Sequence, residues 1–284
     1  MQSYEDRLTR VLRYIHDNPA GDMSLDTLAD VAALSRFHWH RVFLAMTGET
    51  CAQLVRRVRM HKAAAMLHDP TVSVSDVATA VGYESLNSFS RAFRAQYDLS
   101  PKAFREQGGR PATLLVRSIG ETDMQTVTIR QEPARHLVGV AHQGAYTEIG
   151  GSFGAFSAVV QSRNLWPQIG AMIGVFDHDP NVTPEADLRS FAGGEWKGDS
   201  CPDGLVERQL NGGRTAVLTF KGPYVDLHKA YDAMFGTWLP QSGELPDETP
   251  CFEVYLNDPM DVAPAELLTE ICLPLQPRSD KMTG

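Results

Sequence analysis

Two internal repeats of different period divide this 284-residue chain, and each limits what its stretch can fold into. In the N-terminal part, Arg41-x-Phe43 recurs as Arg91-x-Phe93 at an offset of 50, and Ala29 recurs as Ala78 at an offset of 49. Gly48-Glu49-Thr50 takes the place of Asp98-Leu99-Ser100. Past residue 124 the offset lengthens. Gly144-Ala145-Tyr146 answers Gly222-Pro223-Tyr224 at 78, Asp179-Pro180 answers Asp258-Pro259 at 79, and Pro184 answers Pro264 at 80. A change of period marks a change of domain, and Gly108-Gly109-Arg110-Pro111 is the natural break. The expected organisation is a domain over 1–110, a linker over 111–123, a second domain over 124–277 and a tail over 278–284.

Within the first domain the apolar period is helical. Leu8, Val11, Leu12 and Ile15 share one face of a helix over Glu5–Asp17, which Pro19 ends. Ser24 and Ser35 are placed to cap the next two helices, and Ser73 and Ser100 to cap two later ones. The spacing predicts two helix-turn-helix units, at about 24–47 and 73–97, joined by a helix over Cys51–His68. Those 18 residues span roughly 27 Å at about 1.5 Å per residue, near the ~34 Å between successive major grooves on one DNA face. In the first unit Trp39, Val42, Phe43 and Met46 form the inner stripe, leaving Arg36, Phe37, His40 and Arg41 outward. In the second, Phe89, Ala92, Phe93 and Tyr97 face in and Asn87, Ser88, Arg91 and Arg94 face out. Arg56, Arg57, Arg59, Lys62, Arg94 and Lys102 suit phosphate contacts or a solvated surface better than base reading.

The second domain alternates as strands do. Strands are expected at Thr126–Gln131, His136–His142, Gly170–Phe176 and Leu188–Glu195, with a helix over Ile149–Gln161. The order recurs as strands at Leu205–Leu210, Thr215–Phe220, Cys251–Leu256 and Leu267–Leu273, with a helix from about Val225 to Leu239. The fold class is therefore two-domain: an all-α tandem helix-turn-helix domain, then an α+β domain of two pseudo-symmetric ββαββ-type halves. The repeat aligns Phe176 with Tyr255 and so Gly174 with Glu253. Alternation puts Cys251, Glu253 and Tyr255 on one face of their strand. A mid-strand carboxylate either faces solvent or faces a ligand, since burying it without a partner is costly.

Two resemblances sharpen this reading. The stretch TVSVSDVATAVGYESLNSFSRAFRAQYDLSPKAFR (71–105), with Ala78, Gly82-Tyr83, Phe89, Arg91, Phe93, Pro101 and Phe104-Arg105, resembles the signature of the AraC/XylS transcription regulators. Asp98 stands where many members have glycine. The resemblance implies base reading from Phe37, His40 and Arg41 in the first unit and from Leu86, Asn87, Ser88 and Arg91 in the second. The stretch CFEVYLNDP, TEICLPL after it, GVFDHDPNVTP before it and the Gly-x-Tyr repeats resemble the GyrI-like effector-binding domain. That resemblance implies a central aromatic cleft in which Glu253 meets lipophilic, often cationic ligands, with Tyr255, Tyr146, Tyr224, Trp166 and Trp238 as candidate aromatic walls.

Charge follows the same division. Residues 1–110 carry 14 basic and 12 acidic side chains, residues 111–284 carry 12 and 23, and the whole chain is at −9. A mildly basic half suits DNA and a strongly acidic half avoids it. No apolar run spans a membrane, and the four cysteines lack metal-ligand spacing and fit reduced thiols in a cytoplasmic protein. No nucleophile elbow, phosphate loop or zinc motif is present, so neither metal nor cofactor is expected. The expected partners are double-stranded DNA, a small-molecule effector and RNA polymerase, with no membrane. The function expected is a one-component, non-enzymatic transcription regulator. The alternatives are a C-terminal domain that hydrolyses electrophilic drugs through its glutamate, or one that binds a protein as gyrase inhibitors do.

Overall fold

The computed structural model describes residues 3–109 and 126–277. The expected linker over 111–123 and the tail over 278–284 lie outside the described residues. The chain forms two compact units, and the stretch Phe37–Val42 groups with the C-terminal one.

The N-terminal helices are α1 (Tyr4–Asp17), α2 (Leu25–Ala32), α3 (Arg36–Thr47), α4 (Cys51–Met66), α5 (Val74–Ala80), α6 (Leu86–Tyr97) and α7 (Pro101–Glu106). Their starts are set by hydroxyl caps. Ser24, Ser73, Ser85 and Ser100 each accept the backbone N–H three residues on, and Thr50 with Gln53 completes a reciprocal pair. Ser35 makes no such bond. The turns repeat as the sequence does. Ala33 (φ 52°) and Gly82 (φ 78°) occupy the left-handed position after α2 and after α5, and Gly48 (φ 72°) and Asp98 (φ 58°) do so after α3 and α6.

One core of this unit forms where Met60, Ala63, Ala64 and Leu67 meet Val77, Ala78, Phe89, Phe93 and Phe104. Periodicity missed the part played by arginines. Arg7 is buried, and its guanidinium donates to the carbonyls of Ala32 and Ala33 that the left-handed turn leaves open. Arg57 pairs with Glu49 at 2.5 Å, and Arg59 donates to the carbonyl of Pro19 at 2.7 Å while lying over the Tyr83 ring. Both are therefore tied into the fold rather than held ready for phosphate.

The C-terminal elements are β1 (Val127–Glu132), β2 (Arg135–Gln143), α8 (Ile149–Ser162), β3 (Ile169–Phe176), β4 (Arg189–Trp196), β5 (Val206–Leu210), β6 (Gly213–Lys221), α9 (Leu227–Asp232), α10 (Leu239–Ser242), β7 (Cys251–Tyr255) and β8 (Leu268–Pro274). The strands form one antiparallel sheet in the order β1-β6-β8-β7-β3-β4-β2-β5. Exchanging each strand for its repeat counterpart reverses that order onto itself. The centre is the β3–β7 pair, where Gly174 lies opposite Glu253. The first strand of each half pairs in the other half, β1 with β6 and β5 with β2.

Helix α8 packs on β2 and β4, and α9 packs on β6, so the two helices cover one face of the sheet. The other face curls on itself. Leu137 and Leu210 from one end share a cluster with Val217 and Cys272 from the other. Ion pairs follow the curl, Arg130 to Glu270 at 2.5 Å and Arg135 to Glu132 at 2.7 Å. The single helix expected over 225–239 is broken: a π-helical turn, Ala233–Trp238, separates α9 from α10. Pro240 explains it. It has no N–H to donate, and its ring crowds the preceding turn. The wider turn, in which Leu239 N–H bonds to Met234 O, relieves that crowding.

Asp98 ends α6 in a conformation that costs an L-residue more than glycine. Asp98→Gly is expected to raise stability by about 0.5–1 kcal/mol, seen as a higher midpoint in urea unfolding.

Candidate functional site

In α6 the alternation is as expected. Phe89 and Phe93 are fully buried, while Leu86, Asn87 and Arg91 are exposed and Ser88 is half-exposed. A hydroxyl cap at Ser85 starts the helix just before these residues and presents its first turn to solvent.

The stretch Phe37–Val42 belongs to the sheet unit, and there His40 departs from expectation. It is buried rather than outward, because its Nδ1 lies 3.1 Å from Asp179 Oδ2. Arg41 is largely covered. Its guanidinium sits 5.0 Å from the Tyr231 ring centre and 5.6 Å from that of Phe235, with Nε 3.7 Å from Asp179 Oδ1. His38 stacks on Phe235 at 5.7 Å, and burial lowers its pKa to about 4. Burial disfavours a charged Asp179, yet the His40 hydrogen bond and the Arg41 charge outweigh it and hold its pKa below the ordinary value.

The candidate effector site is the β3–β7 strip under the two helices. Antiparallel register puts Met172, Gly174 and Phe176 on the same face as Tyr255, Glu253 and Cys251. Glu253 is 3% exposed. Its Oε1 accepts from the Tyr231 hydroxyl at 3.0 Å and its Oε2 from the Tyr255 hydroxyl at 2.8 Å. Burial raises its pKa, against the pull of those two donors. Burial, followed by the neighbouring carboxylate, pushes both tyrosines well up, and burial pushes the Cys251 thiol to about 11. Gly174 is what lets Tyr255 reach across: a Cβ there would stand 2.9 Å from the Tyr255 hydroxyl.

The aromatic walls come in repeat-related pairs. Tyr146 meets Phe176 edge-on at 5.0 Å, and Tyr224 meets Tyr255 edge-on at 5.4 Å. Tyr146 is also tied by its hydroxyl, which accepts from His178 N–H and donates to Arg189 O. Trp166 is exposed and donates to Gln161 at 2.7 Å, and Trp238 lies in the π-helical turn; neither holds Glu253. Sequence reasoning missed Tyr231. The signal was available, because an offset of 78 relates it to Phe153, whose ring meets Tyr255 at 5.2 Å. A wider depression of about 410 Å³ lies elsewhere on the sheet unit, beside Gln131, Arg214 and Thr215. Arg214 is already paired with Glu244 there, and no aromatic ring lines it.

Residues 125–276, more than half of the chain, match the GyrI-like small molecule binding domain. The chain belongs to the GyrI-like family. Ahead of this GyrI-like domain, residues 28–107 match a helix-turn-helix domain. The GyrI-like chain is 31% identical across 110 residues to the HTH-type transcriptional regulator MtrA of Neisseria gonorrhoeae, covering 38% of this chain and 36% of that protein. It is 33% identical across 91 residues to the probable transcription factor PqrA of Proteus vulgaris, covering 32% of this chain and 75% of that one. The chain spans about two-fifths or less of MtrA and of the activator RhaS of Enterobacter sp. (strain 638). Among solved structures, the EcmrR C-terminal domain covers 54% of this chain and 99% of its own, at 15% identity and a TM-score of 0.47. No helix among the described residues is long and apolar enough to cross a membrane.

Glu253 predicts a pH dependence of definite sign. A carboxyl whose folded pKa is raised contributes stability that is fully present below its unfolded pKa and is lost as pH rises through the folded one. Glu253→Gln removes that titration. Thermal melts between pH 4 and 8 should show wild type losing ground to the variant as pH rises, by about 2–4 °C for each kcal/mol of linkage. Parallel profiles would show that Glu253 does not titrate abnormally.

Proposed function

We propose that this chain is a one-component transcription regulator in which residues 1–110 bind double-stranded DNA and residues 124–277 bind a small lipophilic cation. The observation that carries the effector half is Glu253: a buried carboxyl at the centre of the sheet, held by two tyrosine hydroxyls and walled by paired aromatic rings. A buried acid of raised pKa ionises when a cation arrives, and the low local dielectric strengthens the attraction. Neutral ligands of the same shape gain nothing from that step. Aromatic faces add cation–π attraction.

The DNA half rests on the helix pairs α2–α3 and α5–α6, on the exposed Leu86, Asn87 and Arg91, and on the helix-turn-helix match. We assign base reading to Phe37, His40, Arg41, Leu86, Asn87, Ser88 and Arg91, with RNA polymerase as the downstream partner. Arginine suits the task because its fork pairs with both guanine acceptors in the major groove. Sensing rather than turnover is the role proposed for Glu253, since its two oxygens are already committed to donors.

Calorimetry with a matched pair of aromatic ligands, one cationic and one neutral, tests the effector reading. Glu253→Gln should weaken the cation by about tenfold more than the neutral analogue, or ~1.4 kcal/mol. Equal losses would remove the charge-sensing role, and product formation in wild type would make the domain an enzyme. For DNA, Arg91→Ala should relax base preference by ~1–3 kcal/mol at one or two positions. A uniform loss across all sequences would make Arg91 a phosphate contact instead.

A further inference from the structure

The sheet unit already holds a cation of its own. The Arg41 guanidinium lies over Tyr231, the same ring whose hydroxyl donates to Glu253, and over Phe235. It is 13% exposed, with Asp179 beside it at 3%. His40 takes the other oxygen of that aspartate. The space left along this contact, against His38, Phe176, Asp177, His178 and Pro250, is about 10 Å³. That is at or below what a single water needs. A ligand entering at this contact therefore has to displace the segment that fills it.

The repeat shows that Asp179 is shaped for this contact and not only for its turn. Its counterpart Asp258 accepts the backbone N–H two residues on, from Met260, at 2.8 Å. Asp179 does the same through Oδ1, from Asn181 N–H at 3.0 Å. The turn thus uses one oxygen in each half. In Asp179 the second oxygen, Oδ2, is left for His40. Asp179 is buried, whereas Asp258 is exposed.

We propose that Arg41 and His40 are an internal occupant of the effector strip, so that effector and Phe37–Val42 compete for it and effector binding raises affinity for DNA. The sign follows from exclusion. Phe37, His40 and Arg41 are the base readers assigned to the first helix pair, and a side chain engaged with Asp179 and Tyr231 is not available to a base edge. A cation that binds only the vacated strip shifts the balance by its difference in affinity for the two states. By linkage, DNA favours the effector to the same degree. The proposal rests on the effector reading above for its ligand, but not for the internal contact.

The experiment separates the two. Full-length protein is used with the duplex that it selects from a random pool, and with N-methylacridinium as the cation. Asp179→Asn keeps the turn's acceptor and loses the charge, so ligand-free DNA affinity should rise about tenfold, with the thermal midpoint held near that of wild type. In wild type, hydrogen exchange of the Phe37–Val42 amides should quicken when the cation is added, a readout that needs no variant. If Asp179→Asn folds and binds DNA as wild type does, and exchange is unchanged under saturating cation, the internal occupant is refuted. If the cation binds while exchange and DNA affinity stay constant, competition is refuted and the effector reading survives. If Asp179→Asn tightens DNA binding and no cation binds, the internal contact stands and the effector reading falls.

Discussion

Everything in the sheet unit turns on the β3–β7 pairing. Antiparallel pairing of two repeat-related strands makes each residue face a partner 79 positions away only at the centre, and there the partners are Gly174 and Glu253. A symmetric sequence would put two like side chains together at that point, and two glutamates would repel across a distance of about 5 Å. The departure from symmetry resolves this. Glycine leaves room for the Tyr255 hydroxyl, and the hydroxyl satisfies the carboxyl. One substitution between halves thus leaves a single acid at the centre of the structural axis.

That acid, its tyrosine donors and the paired rings explain one another energetically. A buried carboxyl without donors costs several kcal/mol. Two phenol donors reduce that cost while leaving the group easier to ionise when a positive charge approaches. Edge-on contacts between Tyr224 and Tyr255, and between Tyr146 and Phe176, hold the rings upright.

Much of this was legible in sequence, for identifiable reasons. Glu253, Tyr146, Tyr224 and Tyr255 stood out because the repeat offset gave each a counterpart to be compared with. The caps at Ser24, Ser73 and Ser100 were legible because capping is local. Tyr231 was not singled out, since an aromatic residue on a helix gives the same pattern whether it fills a core or holds a ligand. The pairing of β1 with β6 was not legible at all, because strand order depends on contacts far apart in the chain. His40 shows the limit of helical periodicity. The period names a face, but it does not say what covers that face.

The exchange of first strands has a consequence for how the protein comes into being. Strand β1 emerges early in synthesis, but its partner β6 begins only at Gly213. Until then the first half has an unpaired strand and an incomplete sheet, and the curl that buries Leu137 against Val217 cannot close. Loop closure over such a separation precedes the contacts that reward it. The nascent chain therefore carries an open sheet edge through much of its translation, which makes the ribosome-bound intermediate, rather than the finished protein, the stage most exposed to aggregation.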